Sequence, residues 1–463
     1  MGETHSTPIR LDFNRALRIE GRPENLTSNA GVLALREVDE RLGFTRSLCH
    51  RLRDPRAGHR VEHSLEELVR TRLLMLASGY DGQRDVAHVL NDPAFLASVS
   101  SKRGGGFLGR TLPSQPTLGR LQRTLGEADN LEHLEAGVFD LARRSIAALG
   151  GPGSRELTID VDSTPIDSHG HQPGSVYNGH YRRRCFHPIV ATLAETDHIL
   201  GGKLRPGNEA TNKGVGDFLL PLIDRTREEI GPVGWVRGDA GFTSNELLSA
   251  LENRRLKYVF RMRRNCRLDA LAAPYLEAPK GPKPDELREW LVDLDYQSDL
   301  WRRKRRVILV IQERPDSLFL HYYFLVTNCR RRSPEWLLQH YRDRGAMEGR
   351  LGDFKGAFHP ALSCTTQGAG QERRAHAYAA NASTFQLYLM ADGLLHTLRE
   401  LAGHRTSSDA ISLPSLHRVR RVLVQVAARM TRSGRRITVI VGEATHALWS
   451  HVFRRLDRLL PAT

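Results

Sequence analysis

Asp160 and Asp162 stand two residues apart in the alternating run ELTIDVDST, and Asp239 ends a second apolar run, GWVRGD. In a strand, side chains two apart share a face, so Thr158, Asp160 and Asp162 lie opposite Leu157, Ile159 and Val161. Carboxylates in a half-buried strand are costly unless a cation compensates them. Either a basic side chain or a divalent metal ion can do so. Taken singly, Asp162 also suits a turn or cap before Thr164-Pro165, and Asp239 the start of a turn at Ala240-Gly241-Phe242.

A third carboxylate lies in PEWLLQHYRDRGAMEGRLGDF, which reads as one helix entered at Ser333-Pro334. There Tyr341, Arg344, Glu348 and Lys355 follow one another as Tyr-x2-Arg-x3-Glu-x6-Lys. At about 100° per residue these four project within roughly 60° of each other. One stripe then presents a phenol, a guanidinium, a carboxylate and an ammonium, a set able to grip phosphate and ligate metal. A solvated, salt-bridged face is the other reading of the same charges.

The elements that must position these groups follow from periodicity. Residues 1–30 are polar and read as loose. Residues 31–148 read as helical: Ser64 and Glu67 make a capping box ahead of Leu65, Leu68, Val69, Leu73 and Leu76. Further helices are expected from Arg84 to Leu96 and over SQPTLGRLQRTL, entered through Ser114 and Pro116. Their basic faces suit a helix-turn-helix-like DNA reader or a plain bundle. After the Gly/Pro break at 149–154 come strands in ELTIDVDST, CFHPIVATLAET and HILGGKLRP. A helix (Lys213–Glu229), the GWVRGDA strand, a helix in SNELLSALENR and the KYVFRMR strand follow. Residues 264–331 hold three strand candidates, EWLVDLDY, KRRVILVIQE and LFLHYYFLVTN. Residues 332–371 carry the Glu348 helix, and 372–463 read as basic and mostly helical.

The 463 residues suggest about three domains at roughly 150 residues each. With 68 Lys and Arg against 53 Asp and Glu, the net charge is +15, which points to a polyanionic partner, most commonly nucleic acid. No apolar run approaches the ~18 residues that would span a bilayer. The first residues carry no apolar stretch of a secretion signal. Five scattered cysteines form neither a disulfide framework nor a zinc pattern. A soluble protein of a reducing compartment is expected.

Tyr341-x2-Arg344-x3-Glu348-x6-Lys355 resembles the signature of DDE transposases of bacterial insertion sequences, in particular the insertion-sequence-four superfamily. The DVDST segment ending at Thr164, HGHQ from His169 and RGDAGF from Arg237 resemble that family's acidic motifs. The likeness covers about 150 to 360 well, and 60–130 and 372–463 more loosely. It implies an α/β fold: an RNase H-like core (149–263 and 332–371) interrupted by a β-strand insertion (264–331) and flanked by helical regions. It implies three metal-binding carboxylates at Asp162, Asp239 and Glu348, with Asp160 the alternative to Asp162. Tyr341, Arg344 and Lys355 would then sit at the element's terminal phosphates.

The resemblance further implies cut-and-paste transposition by two Mg²⁺ ions (Mn²⁺ a substitute), about 3.5–4 Å apart, on a carboxylate site. It implies DNA ends and target DNA as partners, a homodimer in the DNA complex, and a cytoplasmic, nucleoid-associated location in a bacterium. Arg182, Arg183 and Arg184, and the run Trp301-Arg302-Arg303-Lys304-Arg305-Arg306, combine cations with an aromatic as DNA-gripping segments do. Solvated strand flanks are the alternative. Trp301 or Trp290 is a candidate for holding a flipped base. His169 and His171 read as loop residues facing DNA or solvent, or as ligands. Two rival functions remain: an end-binding relic that no longer cuts, and a nuclease of the same fold that does not join strands.

Overall fold

The computed structural model describes residues 8–20, 25–58, 61–102, 104–107, 109–168, 170–277, 284–365, 370–403 and 414–459. His169 lies outside them. At the centre is an eight-stranded mixed sheet. Its strands are β1 (Leu157–Ser163), β2 (Ile189–Leu193), β3 (His198–Lys203), β4 (Val233–Gly238), β5 (Lys257–Met262), β6 (Arg288–Tyr296), β7 (Arg305–Glu313) and β8 (His321–Thr327). They lie in the order β6-β7-β8-β5-β4-β1-β2-β3. β1 runs antiparallel to β2 and parallel to β4, and β4 parallel to β5. The run β3-β2-β1-β4-β5 is the RNase H-like order.

The longer helices are α1 (Val32–Leu42), α2 (Leu65–Ala77), α3 (Gln115–Leu125), α4 (Ala128–Ala148), α5 (Val215–Glu229), α6 (Asn245–Asn253), α7 (Pro334–Arg342), α8 (Gly345–Ala357), α9 (Gln371–Ala402) and α10 (Glu443–Leu459). The alternation of β1 sends Leu157, Ile159 and Val161 into an apolar layer with α4, α5 and α6. The opposite face of the sheet collects Trp235, Val259, Ile308 and Leu325 under Leu337 and Leu338 of α7. Asp160 and Asp162 therefore face the α7 side.

Several expectations are corrected. Residues 9–19 form an exposed β-hairpin, and Leu26–Thr27 pairs with Ala428–Ser433, so the first thirty residues are not uniformly loose. The helix expected from Arg84 to Leu96 is broken, because Asp92 caps a new helix at Pro93. CFHPIVATLAET is two strands: Arg183–Phe186 joins a small sheet with Ile166–Asp167 and Val176–Asn178, and β2 begins after Pro188. The basic segment after Ser415 is a short helical turn followed by a β-hairpin, Ala428–Ser433 with Arg436–Ile440, rather than one helix. The three strands expected over 264–331 are present as β6–β8, and they extend the central sheet through the antiparallel β5–β8 pairing. Finally, α9 packs against α1, α2, α3 and α4, so the amino- and carboxy-terminal helices share one apolar core.

The capping box is present: Ser64 Oγ accepts from Glu67 N, and Glu67 accepts from Ser64 N. No helix among the described residues is long and apolar enough to cross a membrane.

Candidate active site

The site lies where β1 and β4 end side by side. Their parallel register sets Arg237 against Asp160 and Gly238 against Val161, which brings Asp239 beside Asp162 as both strands finish. Gly238 is required here: a Cβ would stand 2.6 Å from the Phe260 ring and 3.0 Å from Val161. Asp239 caps the short turn that follows, its Oδ1 accepting from Gly241 N at 2.8 Å. A Cβ on Gly241 would meet Thr211 at 2.5 Å. The RGDAGF segment is thus shaped by close packing as well as by its carboxylate.

The Glu348 segment reaches the site as two helices, which corrects the single stripe. Asp343 and Arg344 form a tight turn between α7 and α8: Arg344 N donates to Tyr341 O and Met347 N to Arg344 O. Tyr341 therefore belongs to α7, Arg344 to the junction, and Glu348 and Lys355 to α8. Arg344 is 5% exposed and joins two carboxylates. Its Nη2 lies 2.7 Å from Asp162 Oδ2, and its Nη1 donates to Glu348 Oε1 at 2.8 Å. Asp162 and Glu348 are one guanidinium apart. Arg344 was expected at DNA phosphates; here its ion pairs go to protein carboxylates.

Burial pushes the Asp162 carboxyl up to about 6, and the negative neighbours Asp239 and Glu348 push the same way against Arg344. The Arg344 guanidinium is held above its ordinary value: burial opposes its charge, but Asp162, Tyr341, Asp239 and Glu348 outweigh it. Such a concentration of hard oxygen donors has the chemistry of a divalent-cation site. Among the described residues, however, no three Asp, Glu, His or Cys side chains stand close enough to share an ion.

Asp160 has another use. Arg237 Nε and Nη2 donate to its two oxygens at 2.6 and 2.7 Å, and Arg237 Nη1 donates to His340 O at 2.7 Å. One side chain thereby neutralises the first aspartate and ties the end of α7 to the sheet. The alternation Trp235, Arg237, Asp239 is the sequence signal that could have found this partner. Arg350, two residues beyond Glu348, donates to Asp197 O and pairs with buried Asp392, fixing α8 to the β2–β3 turn and to α9.

Tyr181 and His187 were not foreseen near the carboxylates. Their rings meet edge to face at 5.7 Å. Burial raises the Tyr181 phenol, and the charges of Asp162 and Asp239 raise it further. Nothing in their spacing marks them, because the loop carrying Tyr181 is brought in by the small sheet.

The other candidates divide. Lys355 is exposed and, with Arg183, Ile166, Phe358 and His359, lines a cleft of about 490 Å³ just beyond β1. Arg183 pairs with Asp167 at 2.9 Å, and Arg184 donates to Ser175 O. Arg182 is exposed in a turn with φ +54°. His171 is exposed. Trp301 is a correction: it is 8% exposed, packed on Tyr296 and under the Arg305 guanidinium. Trp290 packs partly buried against the same core. Glu252 takes Arg303 and Arg305, and Asp293 takes Arg306. Arg302 and Lys304 are exposed.

Residues 9–461 match the family described as Transposase DDE domain group 1. The chain belongs to that family. This DNA transposase has no match among curated proteins. Among solved structures, it is similar to a cryo-EM structure of the piggyBac transposase synaptic complex with hairpin DNA. The alignment covers 93% of this transposase and 81% of that chain, with 12% identity and a TM-score of 0.39.

Proposed function

We propose that this transposase binds the ends of a mobile element, cleaves DNA phosphodiester bonds there and joins the 3′ ends to target DNA by cut-and-paste transposition. Asp162, Asp239 and Glu348 are the proposed ligands of two Mg²⁺ ions, with Mn²⁺ a workable substitute, because carboxylate oxygens suit hard cations. When bound, such a pair of ions activates the attacking oxygen and stabilises the leaving one. The chain's own residues do the rest. Arg237 takes both oxygens of Asp160, leaving Asp162, which pairs with Arg344 through Oδ2, as the proposed metal-facing aspartate of β1. Lys355, Arg183 and Arg182 take backbone phosphates along the cleft, Tyr341 and Arg344 orient the strand end, and Arg302 contacts DNA from the β6–β7 side. Such phosphate contacts position DNA without reading its sequence.

The observation that carries this reading is the placement of Asp162 beside Asp239 at adjoining strand ends, with Glu348 joined to Asp162 through one guanidinium. Family membership and a net charge of +15 support it. The working unit would be a homodimer on paired DNA ends, at the nucleoid in a bacterial cytoplasm. The test is a supercoiled plasmid carrying the element's own ends, incubated with protein and Mg²⁺. Nicked, excised and target-joined products are expected. Cleavage without joining would reduce the protein to a nuclease, and end binding without cleavage to a relic.

A further inference from the structure

We infer that Tyr181 binds the substrate in this site, its phenol hydroxyl donating a hydrogen bond to a non-bridging oxygen of the phosphate that is cut. The inference rests on the DNA-cleavage reading above. Strand register supplies the placement. Asp162 lies opposite Val190 and Ser163 opposite Ile189, and Thr164 N donates to Pro188 O at 3.2 Å. His187 therefore stands beside the end of β1, just past Asp162. The Tyr181 ring packs on it edge to face at 5.7 Å, close enough for the charges of Asp162 and Asp239 to act on the phenol.

The ring is held from two sides. The Asn178 side chain accepts from His180 N and Tyr181 N at 3.0 and 3.3 Å and donates to Gly207 O at 2.6 Å. A Cβ on Gly207 would stand 2.0 Å from Cys185 O, so glycine is needed for this close approach to the small sheet. Arg182, next in the chain, takes φ +54°, which a residue other than glycine rarely adopts unless its surroundings impose it. On the other side, His187 N donates to Arg205 O and Arg205 Nε to His187 O, each at 3.0 Å. All this fixes a phenol whose hydroxyl has no hydrogen-bond partner among the described residues. A half-buried tyrosine hydroxyl ordinarily finds one. A cation placed here would pair with the carboxylates, as Arg344 does with Asp162. An uncharged O–H is left to donate to an incoming phosphate, where a fixed donor stabilises charge that develops during cleavage.

The experiment is single-turnover nicking of a duplex carrying the element's end by the full chain, as wild type, Tyr181→Phe and Tyr177→Phe. Tyr177 is exposed on the same small sheet and serves as the control. At saturating protein, Tyr181→Phe should nick at least about tenfold more slowly than wild type. Its DNA affinity by fluorescence anisotropy and its melting temperature should not change, and Tyr177→Phe should match wild type throughout. The duplex is then made with sulfur in place of one or the other non-bridging oxygen of the cut phosphate. Sulfur accepts hydrogen bonds weakly, so the gap between wild type and Tyr181→Phe should close on one diastereomer and persist on the other. The same gap on both diastereomers and on the all-oxygen duplex would overturn the contact, and so would nicking by Tyr181→Phe at the wild-type rate. Absence of nicking by the wild type would overturn the cleavage reading, and this inference with it.

Discussion

Arg237 on β4 meets Asp160 on β1 through two N–H···O bonds, and their side chains are only 4% and 1% exposed. Removing one partner of such a pair strands a buried charge, at a cost of about 3–5 kcal/mol. Asp160→Leu should therefore destabilise the fold by that order in urea unfolding. The double substitution Asp160→Leu with Arg237→Met should recover much of the loss. A single variant as stable as wild type would show that the pair contributes little.

Asp239→Asn and Glu348→Gln should each lower Mg²⁺-dependent nicking by more than about a hundredfold, because a neutral amide is a poor ligand for a hard cation. Binding of element-end DNA should stay within about threefold, since phosphate contacts come from other side chains. Gel-shift and nicking assays on the same preparations separate the two. Full nicking by either variant would remove that residue from the proposed ligand set.

Asp162 makes stability depend on pH. Its carboxyl is raised to about 6 in the folded chain, above the ordinary 3.8, so the folded state holds a proton that the unfolded state has lost between those values. Stability contributed by this group is therefore full below the ordinary value and declines as pH rises through about 6. Asp162→Asn lacks that titration. Urea midpoints measured on both proteins across this window should show the wild type losing ground to the variant as pH rises, and parallel curves would contradict the raised pKa.

Trp301→Ala should act as a core truncation. The ring is packed on Tyr296 and Arg305, so the expected loss is about 3–5 kcal/mol of stability, seen as a lower melting temperature. At a temperature where the variant remains folded, DNA affinity and its salt dependence should match wild type. A weakened DNA complex with unchanged melting would restore the DNA-stacking reading.

Lys355→Ala should lower DNA affinity and flatten its salt dependence by roughly 0.9 in the slope of log affinity against log salt, the contribution of one duplex phosphate contact. Fluorescence anisotropy at several salt concentrations reads this directly. An unchanged slope would place Lys355 on a solvated surface.

Much of this architecture is legible in the chain. The alternation in ELTIDVDST specifies β1, its apolar face and the common face of Asp160 and Asp162. Ser64 with Glu67 marks the start of α2, and Ser114 with Pro116 that of α3. These are local signals, governed by side-chain period and capping chemistry, and they survive folding unchanged. The three proposed ligands are likewise visible as residue types at characteristic spacing. Their family assignment rests on the match over residues 9–461.

What tertiary structure decided is which charge meets which. Arg237 and Arg344 are both guanidiniums near aspartates, but strand register gives Arg237 to Asp160, and the packing of α7 and α8 at the strand ends gives Arg344 to Asp162. A helical wheel drawn through 341–355 could not reveal the turn between α7 and α8. The cations after Trp301 resemble a phosphate grip until Glu252 on α6 and Asp293 on β6 are brought against them. Likewise α9 completes the apolar core of α1–α4 from the far end of the sequence. Periodicity is a property of neighbours along the chain and is readable from it. Charge pairing and shared burial depend on distances between segments remote in sequence, and only the folded backbone sets those.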